Sequence, residues 1–119
     1  MSLEWEQAVI DARDPAALGR WWAEALGWDI VNDDIDDFEI REPDGRLPGI
    51  IFENVPETKQ TKNRVHLDFR PTDQQAEVQR LLGLGATRVN IGQGNVSWVV
   101  LADPEGNEFC VLAAPSPDA

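Results

Sequence analysis

The sequence has few of the residues that most often carry chemistry or cross-link a fold. Of its 119 residues, one is cysteine, one is histidine and none is tyrosine. A single cysteine excludes a disulfide within the chain, which is typical of a cytoplasmic protein. Neither a signal peptide nor an apolar run of the roughly 20 residues that span a bilayer is present. We therefore expect a cytoplasmic protein without a membrane-spanning segment.

Basic residues are also scarce, with ten against 22 acidic residues and a formal net charge of −12. This balance argues against nucleic acid as a partner, because phosphates require a basic patch. It favours a cationic small molecule over an anionic one, although an acidic solvent-exposed surface explains the charge more simply.

The first half of the chain predicts a strand, a helix and three further strands. Residues from Leu3 to Ala12 alternate between two faces, as a strand does. Asp14-Pro15 begins a helix whose apolar face is built from Leu18, Trp21, Trp22, Ala25 and Leu26, and Gly27 ends it. Three short strands follow at Trp28–Asn32, Phe38–Glu42 and Gly49–Val55. The polar stretch 56–63 has no periodicity and is interpreted as a linker.

The second half repeats this order around the only histidine. In the predicted strand Arg64–Arg70, alternation places His66 and Asp68 on one face with two arginines, and Val65, Leu67 and Phe69 against a core. Thr72 or Asp73 then caps a helix that ends at Gly85. The remaining predicted strands are Ala86–Ile91, Ser97–Ala102 and Glu108–Ala113, with a hairpin at 92–95.

The two halves can be aligned at an offset of 57 to 59 residues. At 59, Gln7 aligns with His66, and at 57, Glu53 aligns with Cys110. Each half is therefore a βαβββ module. The predicted fold class is α+β, with module one at about 3–55, the linker at 56–63 and module two at about 64–114.

Several motifs of the sequence resemble the vicinal oxygen chelate superfamily, which includes glyoxalase I, bleomycin-resistance proteins and extradiol dioxygenases. They are Asp14-Pro-Ala-Ala-Leu with Trp21-Trp22, Ala25-Leu-Gly-Trp28, His66-Leu-Asp-Phe69, and Asp103-Pro-Glu-Gly-Asn-Glu-Phe-Cys-Val-Leu112. The resemblance covers nearly the whole chain. It implies one domain over 1–119, in which two modules curl a mixed sheet around a cavity, usually in a homodimer.

In the metalloenzymes of that superfamily, the first and last strands of the modules supply the metal ligands. The resemblance carries these places to Gln7, Glu53, His66 and Cys110, for one divalent ion such as Zn, Ni, Co, Mn or Fe. Cys110 departs from the pattern, because the metalloenzymes usually have glutamate there.

The candidate residues each have a functional and a structural interpretation. Glu53 and His66 are the candidate catalytic groups, since an imidazole or a carboxylate beside a cavity can act as a base. The candidate cavity residues are Trp5, Gln7, Asp68, Trp98, Glu108 and Cys110. The structural alternatives are a satisfied cavity wall for Gln7 and His66, a solvent-facing edge for Glu53 and a small buried hydrophobe for Cys110.

Two functions remain open from the sequence. The first is a glyoxalase-like protein that binds a small organic molecule in a cavity between its modules, as bleomycin-resistance proteins do. The second is a divalent-metal-dependent lyase, isomerase or dioxygenase that uses Gln7, Glu53, His66 and possibly Cys110.

Overall fold

The computed structural model describes residues 2–115, and the chain divides into two units between Thr58 and Lys59. In the first unit the order is β1 (Gln7–Ala12), α1 (Pro15–Leu26), β2 (Asp29–Asp33), β3 (Asp37–Arg41) and β4 (Gly49–Asn54). Its four-stranded sheet has the order β1-β4-β3-β2, in which β1 and β4 are parallel and the other pairs antiparallel.

The second unit repeats this topology with shorter strands. It contains β5 (Leu67–Phe69), α2 (Gln74–Leu84), β6 (Thr87–Arg88), β7 (Val99–Ala102) and β8 (Glu108–Val111). Its sheet has the order β5-β8-β7-β6, and again only the first pair is parallel. The prediction of an α+β fold with two βαβββ modules is confirmed.

Both helices begin and end at the residues that the sequence indicates. Asp14 caps α1 by accepting a hydrogen bond from the Ala17 N–H at 3.1 Å, and Asp73 caps α2 through the Ala76 N–H at 3.0 Å. Gly27 ends the first helix in the left-handed conformation with φ 68°, which glycine adopts without a steric penalty.

Each unit has its own core between its helix and one face of its sheet. In the first unit, Phe38, Ile40 and Phe52 are fully buried beneath α1, together with Leu18 and Trp22. In the second unit the buried residues include Val78 and Leu81 of α2. In its sheet, Leu101, Phe109 and Val111 are buried on one face, and Val100 and Cys110 are buried on the other. Neither of the helices among residues 2–115 is long and apolar enough to cross a membrane.

Three predicted strands are each four residues shorter in the structure, because a partner strand is missing or a side chain takes its place. β1 begins at Gln7 rather than Leu3, since its partner β4 begins at Gly49 after Pro48, which has no N–H to donate. β6 ends at Arg88 rather than Ile91, because the Gln93 amide accepts from the Ile91 N–H at 2.8 Å and donates to the Val89 carbonyl at 3.3 Å.

The strand predicted at 64–70 is the third case. Only Leu67–Phe69 pair with β8, and Val65 is 79% exposed rather than packed in the core. The backbone N–H of Asn63 is bound by the Glu108 carboxylate at 3.3 Å instead of by a strand. The residues just before β5 are therefore held by a side chain and not by sheet pairing.

The hydrogen-bond ladders correct the internal alignment. Ala8 pairs with Ile50 in the first unit, and Leu67 pairs with Phe109 in the second, so one offset of 59 relates both strands. At that offset Gln7 still corresponds to His66, but Cys110 corresponds to Ile51 and not to Glu53.

The misalignment comes from matching Phe52 with Phe109, which gives the offset of 57. The turns before these strands align at an offset of 61, Gly45 with Gly106. Three residues follow Gly45 before β4, whereas only Asn107 follows Gly106 before β8, and this difference of two residues gives the offset of 59 in the ladders.

Candidate functional site

Three potential ligand groups of the second unit meet where β5 lies beside β8. Asp68 is opposite Cys110 in the parallel ladder, and His66 lies just before β5. The His66 Nδ1 atom is 3.0 Å from Asp68 Oδ1 and 3.8 Å from Cys110 Sγ. The donor atoms of all three residues lie within 4.8 Å of one another. The sequence predicts that His66 and Asp68 share a sheet face, and we call the three residues the His66 cluster.

The three members of the His66 cluster differ in their access to solvent. The side chains of His66 and Asp68 are 40% and 46% exposed, whereas Cys110 is buried. The imidazole and the carboxylate therefore form the accessible surface of the cluster, with the thiol beneath them.

The environment of Cys110 favours the neutral thiol. Burial raises the pKa of Cys110, and so do the charge of Asp68 and the hydrogen bond that its carboxylate accepts from the thiol, while Lys62 acts in the opposite direction. A cysteine nucleophile needs a lowered pKa or a base that takes its proton. The cluster supplies neither. The pKa of the thiol is raised, and the His66 nitrogen nearest the thiol, Nδ1, donates its own proton to the Asp68 carboxylate and cannot accept one from Cys110.

The hydrogen bond to Asp68 determines what His66 can offer a ligand. A carboxylate 3.0 Å from Nδ1 favours the tautomer that carries its proton there. Nε2 then has a free lone pair, so it can accept a hydrogen bond or remove a proton. This arrangement of carboxylate and imidazole orients the ring as the aspartate of a catalytic triad does.

Glu108 lies on the face of Cys110 but is already bound within the unit. It is 8% exposed; Oε1 accepts from Lys59 Nζ at 3.1 Å and Oε2 from the Asn63 N–H at 3.3 Å. Burial alone would raise the pKa of Glu108, but the hydrogen bonds and the Lys59 charge outweigh burial and lower it. Glu108 therefore remains ionised at neutral pH and anchors the residues before β5.

In the first unit, Gln7 and Glu53 do not converge. Gln7 pairs with Gly49, and Glu53 pairs with Asp11, so four residues of a parallel ladder separate them. At about 3.3 Å per residue that is roughly 13 Å, too far for two side chains standing upright on a sheet to share one ion. Ile51 occupies the place equivalent to Cys110 and has no donor atom. The predicted metal set of Gln7, Glu53, His66 and Cys110 includes residues of both units and stays a prediction.

Glu53 has acidic neighbours on both sides. It pairs with Asp11 on β1 and with Asp37 on β3, which places three carboxylates in one row across the sheet. It is half-buried, on the sheet face opposite the core residue Phe52.

The predicted aromatic residues are accessible. Trp5 is 65% exposed, and its ring N–H donates to the Gln7 carbonyl at 3.2 Å. Trp98, just before β7, is 40% exposed.

Two residues near the cluster are missed by reasoning from the sequence, because both lie in the predicted linker. Lys59 and Asn63 bind Glu108, and the Asn63 amide also donates to Asn107 Oδ1 at 3.2 Å. A signal was present, since alternation places Glu108 beside the buried Cys110, and a buried carboxylate requires a cation or several donors.

A family model described as a glyoxalase-like domain matches residues 7–112 of the chain. No curated protein matches it. Among solved structures, a protein of Agrobacterium tumefaciens is similar with a TM-score of 0.74 and 15% identity, covering 96% of this chain and 99% of that one.

Two further structures carry functional names. A possible glyoxalase from Bacillus cereus has a TM-score of 0.70 and 15% identity, covering 94% of this chain and 100% of its own. The bleomycin-binding protein of Streptomyces verticillus, in complex with copper(II)-bleomycin, has a TM-score of 0.63 and 16% identity, covering 97% and 99%. At these identities the likeness shows a shared fold.

Proposed function

Because the chain belongs to the glyoxalase-like domain family, we propose that it binds a small organic molecule at the His66 cluster, in the manner of a bleomycin-resistance protein. The observation that carries this proposal is the exposed hydrogen bond between His66 and Asp68, which leaves Nε2 of the imidazole for a ligand. The solved structure of a protein of this fold with copper(II)-bleomycin supports an organic ligand. The net charge of −12 favours a cationic one.

The test is a calorimetric titration of the protein with copper(II)-bleomycin and, in parallel, with a panel of cationic metabolites. A ligand bound through Nε2 of His66 should bind at least about tenfold more weakly to His66→Ala, since a hydrogen bond to a charged or polarised group contributes about 1.5–3 kcal/mol. The thermal midpoint should stay within about 3 °C of wild type, because the exposed ring packs against little.

Glu77→Gln is the matched control, because the Glu77 side chain is partly exposed on α2 and forms an ion pair with its helix neighbour Arg80 at 2.7 Å. The Glu77→Gln variant should bind the ligand with the same affinity as wild type. A ligand that binds His66→Ala as tightly as wild type would remove the cluster from the proposed site.

A second proposal is a divalent-metal-dependent lyase, isomerase or dioxygenase, and the observation that favours it is the donor set of the cluster. A tetrahedral zinc site with bonds of about 2.0–2.3 Å separates its donors by roughly 3.3–3.8 Å, close to the 3.0 and 3.8 Å of the cluster. Nitrogen, oxygen and sulfur ligands together suit zinc, cobalt or nickel better than manganese. Such an ion would be held by His66, Asp68 and Cys110, and it would polarise the oxygens of a substrate.

Metal content distinguishes this donor set from the four-residue set suggested by the sequence. After incubation with zinc and removal of the excess, we expect about one ion per chain in wild type and in Glu53→Gln, and none in Asp68→Asn. If Glu53→Gln loses the ion and Asp68→Asn retains it, the donor set of the His66 cluster is wrong and the four-residue set predicted from the sequence is favoured.

Two further predictions from the sequence are kept as proposals. We propose a cytoplasmic homodimer, to be tested by light scattering and by fractionation of cells. The enclosure of a cavity by both modules as one domain stays a prediction, and the site argued above uses the second unit alone.

A further inference from the structure

The segment before β5 is attached to β8 by a buried carboxylate. Glu108 is the first residue of β8, and its two oxygens bind the Lys59 ammonium at 3.1 Å and the Asn63 N–H at 3.3 Å. The Asn63 amide continues the connection to Asn107, whose own amide donates to Asp103 at 3.0 Å. We call the contacts of Lys59, Asn63 and Glu108 the 59–63 clamp.

The 59–63 clamp and the His66 cluster are joined through the backbone. His66 lies three residues after Asn63, a span of at most about 10 Å, and one residue before Leu67, where pairing with β8 begins. The backbone of His66 is therefore fixed between the clamp on one side and the β5 ladder on the other. Without the clamp, the segment before His66 would lose both of its contacts with Glu108.

A single strand also provides both the anchor and the thiol. Glu108 and Cys110 are two residues apart on β8 and share one face of the sheet. The clamp therefore fixes the approach of His66 relative to the same rigid element that carries Cys110 and that pairs with Asp68.

From this geometry we infer that Glu108 is a positioning residue, which uses Lys59 and Asn63 to hold His66 against Asp68 and Cys110. The inference rests on the proposed function, because it gives the clamp a role in the site that His66 forms. It also changes the predicted role of Glu108 from a ligand contact to a support, since both of its oxygens are bound within the unit.

The presence of a carboxylate at the buried position 108 supports the inference. Burying a carboxylate costs free energy, and an apolar side chain of similar volume often stabilises a core as well or better. An apolar residue at position 108, however, would leave the Asn63 N–H and the Lys59 ammonium without their partner. The carboxylate is the group that can bind a backbone N–H and a lysine at once.

The experiment uses the only thiol and the only imidazole of the chain as reporters in the ligand-free protein. The variants are Lys59→Met, which removes the ion pair of the clamp, Lys59→Arg, which retains its charge, and Glu77→Gln as a remote control. The first measurement is the rate at which native Cys110 reacts with iodoacetamide. The second is the nuclear Overhauser effect between the His66 ring and the Cys110 β protons.

We expect Lys59→Met to raise the alkylation rate at least tenfold and to abolish the Overhauser effect, because His66 no longer covers the thiol. Electrostatics alone does not predict a faster reaction, since removal of a positive charge raises rather than lowers a thiol pKa. Lys59→Arg and Glu77→Gln should stay within twofold of wild type and retain the Overhauser effect.

A lower thermal midpoint for Lys59→Met with an unchanged rate and an unchanged Overhauser effect would overturn the inference, because the clamp would then stabilise the fold without positioning His66. Should Lys59→Met not fold, Glu108→Gln provides the same test through the Overhauser effect, with loss expected and retention contradicting the inference. Neither readout needs a ligand. Failure of wild type to bind copper(II)-bleomycin, cationic metabolites or zinc therefore counts against the proposed function and not against the clamp.

Discussion

Replacement of Gly19 by alanine should destabilise the first unit, although alanine is the better helix former. A Cβ atom at Gly19 would overlap the ring of Phe38, lying 2.7 Å from its Cε1 atom and 2.9 Å from Cγ. The ring has little room to retreat, because Phe38 is fully buried and the Arg20 guanidinium lies 5.3 Å from its centroid.

The expected magnitude follows from two opposing terms. Forced overpacking of a core costs about 1–3 kcal/mol, and more where nothing can move. The gain in helix propensity from glycine to alanine is about 1 kcal/mol at most. We expect a net loss of about 1–2 kcal/mol for Gly19→Ala.

Gly83 in α2 is the matched control, because an added Cβ there meets nothing within 4 Å. Gly83→Ala should stabilise the protein by about 0.5 kcal/mol, since it lies one residue from the end of the helix. At roughly 4 °C per kcal/mol, the two thermal midpoints should differ by about 6–10 °C in circular dichroism melts. A midpoint for Gly19→Ala equal to or above that of Gly83→Ala would refute the packing argument.

Two further predictions concern β8. Because the pKa of Glu108 is lowered below its ordinary value of 4.5, the stability that Glu108 provides is fully present above pH 4.5 and is lost as the pH falls through its folded pKa. The stability difference between wild type and Glu108→Gln, measured by urea denaturation from pH 7 to pH 3, should therefore shrink on acidification; a constant difference would contradict this. Because Cys110 is buried with a raised pKa, it should react with a thiol reagent much more slowly in native protein than in urea, and equal rates would show that the thiol is accessible.

Local patterns of the sequence predict the fold well. Alternation and helix punctuation identify both βαβββ modules, and the caps at Asp14 and Asp73 are confirmed by the hydrogen bonds they accept. These features are set by neighbours within a few residues. Strand ends are predicted less well, because they depend on partners distant in sequence, as Pro48 beside β1 and Glu108 beside β5 illustrate.

In the candidate site, too, the features set by neighbouring residues are predicted and those set by distant residues are not. The shared face of His66 and Asp68 follows from strand periodicity, and a site that combines His66 with Cys110 is implied by the family resemblance, while the contact itself is seen in the structure. The position of Glu53 could not be predicted in this way, since Phe52 and Phe109 look equivalent in the apolar pattern but differ by two residues in the register of the ladders. Lys59 and Asn63 could not be identified from their own segment, because a polar stretch without periodicity does not indicate what its side chains bind; the indication came only from Glu108 on β8, which needs a partner.

The single nitrogen that faces both Asp68 and Cys110 gives the cluster two states that exclude each other. With its proton on Nδ1, the imidazole presents Nε2 as an acceptor, and a ligand with an N–H or O–H donor fits. A cation at Nδ1 would move that proton to Nε2, which then becomes a donor and fits a carbonyl or carboxylate ligand instead. The occupancy of one atom thus reverses the hydrogen-bonding polarity of the site, and a ligand screen should be run both with a chelator and with zinc.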